Sequence, residues 1–237
     1  MLKYINQRDL IKMILETLKK SGIFSVLTEE NLQKMCPLFD TLDFKNDEYI
    51  FMESDPADWL FIASKGKVKI VKHSHAGKDI ILEVKFPGEL FCCAAVLDQK
   101  PFPESAQSME DVSVIRISRK NLLNLMEKYP ILKVEIAKYA SDKLRDAHEM
   151  LGHIASEKVD KRIAAVLVRL SEKAGVKESG YTKIDFQLTR QEIAEMVGTT
   201  VETCIRTMSK FQKDGMVKSL DNRILVKPKS LKKLLGY

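Results

Sequence analysis

The 237-residue chain carries a formal net charge of +6 and no low-complexity tract. That length accommodates two domains, each with its own core. The longest apolar run near the N-terminus is broken by Lys12, Glu16 and Lys19, which excludes a signal peptide or membrane span there and gives the expectation of a soluble cytoplasmic protein with no membrane partner.

Residues 1–20 read as an amphipathic helix with Ile5, Ile11, Ile14, Leu15 and Leu18 on or near one side, ended by Ser21-Gly22. From about Leu42 to Ile117 the texture changes to short β-rich runs: YIFM at 49–52, WLFIAS at 59–64, KVKIVKHS at 67–74, DIILEVK at 79–85 and VSVIRIS at 112–118. Ser64-Lys65-Gly66, His75-Ala76-Gly77-Lys78 and Phe86-Pro87-Gly88 are the turns between them. Short strands at this spacing argue a small antiparallel roll or sandwich.

Pro130 opens the most regular helix of the chain. Ala137, Ala140, Leu144, Ala147, Leu151 and Ile154 recur at alternating spacings of three and four, a heptad seam flanked by charge. A parallel coiled-coil dimer contact accounts for such a seam; packing on the chain's own β-roll is the alternative. A second helix is expected from about Val159 to Ala174, with Ile163, Val166, Leu167 and Leu170 inward.

The stretch from Leu188 to Val217 then reads as two short helices about a tight turn at Gly198. Thr189 with Glu192 three residues on is a capping-box start, and Ile193, Met196 and Val197 form the inward face. Thr199 or Thr200 caps a second helix, expected over 200–212, with Cys204, Thr207, Met208 and Phe211 inward. Its other face mixes Val201, Glu202, Ile205, Arg206 and Ser209, and such a mixture suits base edges. Arg gives two hydrogen bonds to guanine, Glu accepts from cytosine, and apolar atoms meet a thymine methyl. A helix-turn-helix is the leading reading, against a plain helical hairpin with a solvated face. Beyond it VKSLDNRILVKP forms two short strands about Asp221-Asn222, a wing.

Charge agrees with that placement. Residues 157–237 hold 17 Lys and Arg against 10 Asp and Glu, a net of +7, while residues 1–156 hold 22 against 23. The basic excess therefore lies with the helix-turn-helix, as phosphate binding requires. Cys36, Cys92, Cys93 and Cys204 form no CxxC pair, which fits a reducing compartment and argues against tetrahedral zinc. His148 and His153 lie five apart, about 140° around a helix, so HEMLGH is no zinc-protease motif. With no nucleophile–base set, metal triad or dinucleotide loop, the chain is not expected to be an enzyme.

The order of parts, with PGELF at Pro87–Phe91, VDKRIAAVLVRL and TRQEIAEMVGTTVETCIRTMSKFQKDG, resembles the cyclic-AMP receptor protein/FNR (Crp/Fnr) family of bacterial transcription regulators. The resemblance implies an α+β chain: an N-terminal effector-sensing β-roll like a cyclic-nucleotide-binding jelly roll (residues 1–128), a dimerisation helix (129–156) and a C-terminal winged helix-turn-helix (157–237). It implies base reading by Glu202 and Arg206 and a phosphate contact by Thr203. Arg190, Thr200, Val201, Ile205, Ser209 and Lys210 complete the expected contact set with double-stranded DNA. TVETxxR is closer to the FNR branch, whose half-sites contain TTGA, although Ile205 stands where that branch has Ser. RNA polymerase is the partner expected from the family, together with a second copy of the chain.

Family members that bind cyclic AMP hold its phosphate with an Arg-Ser pair, because a guanidinium fork matches a phosphate diester. Here Glu104 stands in the Arg position beside Ser105, and a carboxylate repels phosphate. Cyclic AMP is thus disfavoured, although Glu89 and Ser105 are retained; Glu89, Leu90, Cys92, Cys93, Glu104 and Ser105 make up the expected effector pocket. An iron–sulfur cluster is disfavoured because no cysteine precedes Cys36. Haem is the remaining family theme: Cys92 falls at the ligating Cys of the carbon-monoxide sensor, with Ala94 in place of its His. His73, His75 and Cys93 complete the candidate haem or metal donors; a solvated turn and small apolar packing are the alternatives. The expectation is an effector- or redox-responsive homodimer on a palindromic site, the alternative a haem- or metal-binding sensor module acting through protein partners.

Overall fold

A computed structural model describes residues 7–74, 77–220 and 222–236. Ile5, His75, Ala76 and Asp221, named above, lie outside the described residues. Contacts divide the chain into two compact units, one of residues 1–73 and 82–145, the other of residues 74–81 and 146–237.

The first unit begins with α1 (Gln7–Lys20), whose Ile14, Leu15 and Leu18 are buried while Ile11 faces out, so its apolar stripe is narrower than the sequence pattern. The short α2 (Glu29–Met35) is capped by the Thr28 hydroxyl, which accepts from the Asn31 N–H. Then follow β1 (Phe39–Phe44), β2 (Tyr49–Phe51), β3 (Trp59–Lys65), β4 (Val68–His73), β5 (Asp79–Lys85), β6 (Leu90–Phe91), α3 (Cys93–Asp98), β7 (Ser105–Ser108), β8 (Val112–Ser118), α4 (Arg119–Lys128) and α5 (Ile131–Ser156). Two four-stranded sheets result, ordered β1-β8-β3-β6 and β2-β7-β4-β5. The pairings β1–β8, β3–β8 and β4–β7 are antiparallel. In β8 Val112, Val114, Ile115 and Ile117 are all buried, so the strand is covered on both faces. The rings of Phe51, Phe61, Phe91 and Phe102 fill the roll, Phe51 stacking on Phe102 at 3.8 Å. At the PGEL turn Gly88 has φ +92°, and a Cβ there would meet Lys20 Cβ at 2.8 Å, so only glycine fits.

In α5, Leu132 and Ile136 are buried and Tyr139 packs against the roll's core. The seam of Ala137, Ala140, Leu144, Ala147, Leu151 and Ile154 lies roughly 80° farther round the helix at about 100° per residue, and every member is exposed, Leu144 at 58% and Leu151 at 63%. Packing on the roll and an uncovered seam are therefore properties of two different stripes of one helix.

The second unit contains α6 (Val159–Ala174), β9 (Gly175–Glu178), β10 (Tyr181–Ile184), α7 (Arg190–Val197), α8 (Val201–Lys213), β11 (Val217–Leu220), β12 (Arg223–Val226) and α9 (Pro228–Leu235). Its sheet runs β11-β12-β10-β9. Ile163, Leu167 and Leu170 of α6 are buried with Ile193, Val197, Phe211 and Leu231, while Val166 is half-buried. Among the described residues no helix is long and apolar enough to cross a membrane.

Candidate nucleic-acid interface

The turn joining α7 to α8 is built by local chemistry. The Thr189 hydroxyl accepts from the Glu192 N–H at 3.1 Å, and the Glu192 carboxylate accepts from the Thr189 N–H at 2.7 Å, closing the capping box. Gly198 ends α7 at φ +65°, the left-handed conformation that lets the chain reverse. The Thr200 hydroxyl then caps α8 by accepting from the Thr203 N–H at 3.2 Å. Thr199 plays no capping part.

At about 100° per residue, Cys204, Thr207, Met208 and Phe211 share one side of α8, where Cys204, Met208 and Phe211 are buried and Thr207 is half-buried. Ile205, Ser209, Glu202 and Arg206 follow one another around the opposite side, all exposed. Val201 lies at the border and is half-buried. Thr203 and Lys210 sit beyond Arg206 at the far edge of the face. The Glu202 carboxyl is held below its ordinary range by its own backbone N–H and by Thr200, so it remains an anionic acceptor.

Arg190 and the wing are tied together. The Arg190 Nη2 donates to Ser219 Oγ at 3.1 Å, and Gln212 Nε2 donates to the same oxygen at 3.0 Å. The ammoniums of Lys218 and Lys227 lie 4.7 and 4.8 Å from the Tyr181 ring centroid, and the Tyr181 hydroxyl donates to the Gly215 carbonyl at 3.1 Å. A groove of about 600 Å³ between the start of α7 and the wing is lined by Arg190, Ser219 and Arg223.

In the β-roll, two residues expected in the effector pocket accept hydrogen bonds from the chain's own backbone. Glu89 accepts from the Phe86 N–H at 3.0 Å, and the fully buried Ser105 hydroxyl accepts from the Glu53 N–H at 2.9 Å. Leu90 is buried. Lys72 bridges the Glu53 carboxylate at 2.5 Å and the Pro103 carbonyl at 2.7 Å. Burial raises the Glu104 carboxyl, and Lys72 partly offsets it. Cys92 caps α3 at φ 57°; burial, then Glu104, pushes its thiol up to about 12, and burial alone pushes Cys93 up to about 11.

Four residues that the sequence reading did not single out join this cluster. Lys85 is only 4% exposed, and its ammonium pairs with Glu83. The Glu83 carboxylate also accepts from Lys143 at 2.5 Å. Burial opposes its charge, but the two lysines outweigh it and hold the carboxyl at about 2. Tyr139 donates its hydroxyl to the Leu90 carbonyl at 3.0 Å. The available signal was the placement of Tyr139 and Lys143 seven residues after Leu132 and Ile136, on the side of α5 that packs inward.

The cyclic nucleotide-binding domain family matches residues 41–129, and the Crp-like helix-turn-helix domain family matches residues 161–234. The transcriptional activator protein anr of Pseudomonas aeruginosa is 31% identical over 175 residues, covering 73% of this chain and 70% of that protein. The chain belongs to the Crp/Fnr family of transcription regulators. A second Crp/Fnr relative, the CRP-like cAMP-activated global transcriptional regulator of Mycobacterium tuberculosis, is 25% identical over 211 residues, 89% of this chain and 94% of its own. FixK2 from Bradyrhizobium japonicum shares the fold, with a TM-score of 0.73 and 21% identity over 83% of this chain and 96% of that one.

The α7–α8 pair is thus the DNA-binding element of a Crp/Fnr regulator. Of the candidate haem or metal donors, Cys92, Cys93 and His73 lie among the described residues. His73 packs its ring 6.2 Å from Tyr49, and no cluster of three His, Cys, Asp or Glu able to hold a metal occurs among the described residues.

Proposed function

We propose that this Crp/Fnr regulator works as a homodimer that reads a palindromic duplex through Glu202 and Arg206. The observation that carries this is the α8 face: Glu202, Ile205, Arg206 and Ser209 are exposed together, opposite the buried Cys204, Met208 and Phe211. Arg206 matches guanine O6 and N7, Glu202 accepts from cytosine, and Ile205 meets a thymine methyl. A TTGA-like half-site suits this set, with Ile205 altering the preference at the base it faces.

Thr200, Thr203, Lys210 and Arg190 contact phosphate and set the register without reading sequence. Support for the Arg190 role is its position on the rim of the groove that also carries Arg223. The exposed seam of α5 joins two copies, and the paired recognition helices then fall about one turn of DNA apart. Contact with RNA polymerase follows from the family and completes the regulatory reading.

Competition gel shifts with fragmented genomic DNA test the reading. The wild type retains a subset of fragments at 0.15 M salt, and Arg206→Ala loses that selectivity. Retention of every fragment equally by both proteins would remove the claim of base reading.

A further inference from the structure

Glu83 and Lys85 lie two apart on β5 and so face the same way. An ammonium as buried as that of Lys85 needs a partner, and Glu83 supplies it. The same carboxylate reaches Lys143 of α5 at 2.5 Å. Tyr139, one turn earlier, donates to the Leu90 carbonyl of β6 at 3.0 Å and accepts from Lys85 at 3.4 Å. Both ammoniums also lie near its ring, at 5.9 and 5.6 Å from the centroid. α5 is therefore fastened to the roll by polar contacts beside the apolar packing of Leu132 and Ile136.

Buried ion pairs add little net stability, but they fix geometry, because a displaced partner leaves a desolvated charge. The geometry fixed here is the rotation of α5. Tyr139 and Lys143 immediately precede seam residues Ala140 and Leu144, so each is about 100° round the axis from its seam neighbour. Locking the first pair aims the second. Meanwhile Glu89, Ser105 and Lys72 in the roll are engaged within the chain.

We infer that the Lys85–Glu83–Lys143 link, with Tyr139, performs the step for which an effector would otherwise be needed: it sets the rotation of α5, and the regulator binds its operator with no diffusible ligand. This rests on the DNA-binding reading above. Lys143 is the informative position, since its removal leaves the buried Glu83–Lys85 pair intact.

The test uses the full chain, dialysed exhaustively and checked by native mass spectrometry to carry no small molecule. Affinity is measured by fluorescence anisotropy on an operator taken from the genomic fragments. The bare wild type binds that operator; Lys143→Met weakens binding roughly tenfold, within the usual span of coupling between sites. Lys143→Arg restores most of the loss, and Tyr139→Phe loses affinity as well. Sedimentation and thermal melts report dimer mass and folding for each variant. Operator binding by Lys143→Met equal to the wild type would overturn the inference alone. So would a bare wild type that binds only after a small-molecule extract is added. A wild type that prefers no duplex with or without extract would overturn the DNA-binding reading and this inference with it.

Discussion

Arg206 and Glu202 are one turn apart on α8, and their different chemistries make separable predictions. On the proposed reading Arg206 makes a bidentate base contact, so Arg206→Ala is expected to cost about 1–3 kcal/mol on the specific duplex and to relax specificity at one base pair, read by anisotropy against single-base variants. Lys210→Ala and Arg190→Ala act through phosphate instead. Each should lower the slope of log affinity against log salt by about one while the ranking of duplexes stays unchanged.

At the same scale, Glu83 carries a pH signature. Its folded carboxyl is held at about 2, below its ordinary 4.5. Stability from a depressed carboxyl is present above the unfolded value and is lost as pH falls through the folded one. Urea melts of the wild type should therefore lose on the order of 3 kcal/mol between pH 4.5 and 2 that Glu83→Gln does not lose.

The α8 residues were legible in the sequence because burial on a helix repeats every 3.6 residues, so Cys204, Met208 and Phe211 declared the opposite face. Glu83 and Lys85 were not. Charged residues in an apolar run read as water-facing, and the partners that bury them, Tyr139 and Lys143, are more than fifty positions away.

Among the elements, the long and strongly periodic ones were read closely. α6 spans Val159–Ala174, as its pattern predicts, and α5 runs from Ile131 to Ser156 after Pro130. Elements without sequence warning were short, among them α2, α4, the β9–β10 hairpin and α9, with between four and ten residues each, and the strands β1, β6 and β7. A segment of that length completes too few turns or alternations to declare a period, and only its tertiary contacts stabilise it. α4, for instance, begins at the Ser118 cap directly where β8 ends, so its start is hidden in the tail of a strand.

Capping governs how α8 is presented. The Thr200 hydroxyl satisfies the Thr203 N–H, and Thr200→Ala should destabilise the second unit by about 1 kcal/mol in thermal melts. DNA affinity should fall further than that loss implies, because the same substitution frees the first turn that carries Glu202.

For the whole molecule, the sequence's charge asymmetry and the seam carry the account. In the proposed homodimer, the net +7 of residues 157–237 would supply nonspecific attraction and the duplicated recognition face selectivity. Leu144, Leu151 and Ile154 expose 58, 63 and 51% of their surfaces, an apolar row that a second copy would cover. Leu144→Asp places like charges opposite each other in a paired helix. It should give a monomer by sedimentation equilibrium whose circular dichroism spectrum matches the wild type and whose selective DNA binding is lost.

The central claim, two copies reading one inverted repeat, is tested most directly by selecting duplexes from a random library at 0.15 M salt with the full-length protein. The account predicts enrichment of an inverted repeat whose half-site centres lie about 10–10.5 base pairs apart. Enrichment of a lone half-site, or of no motif, would contradict it.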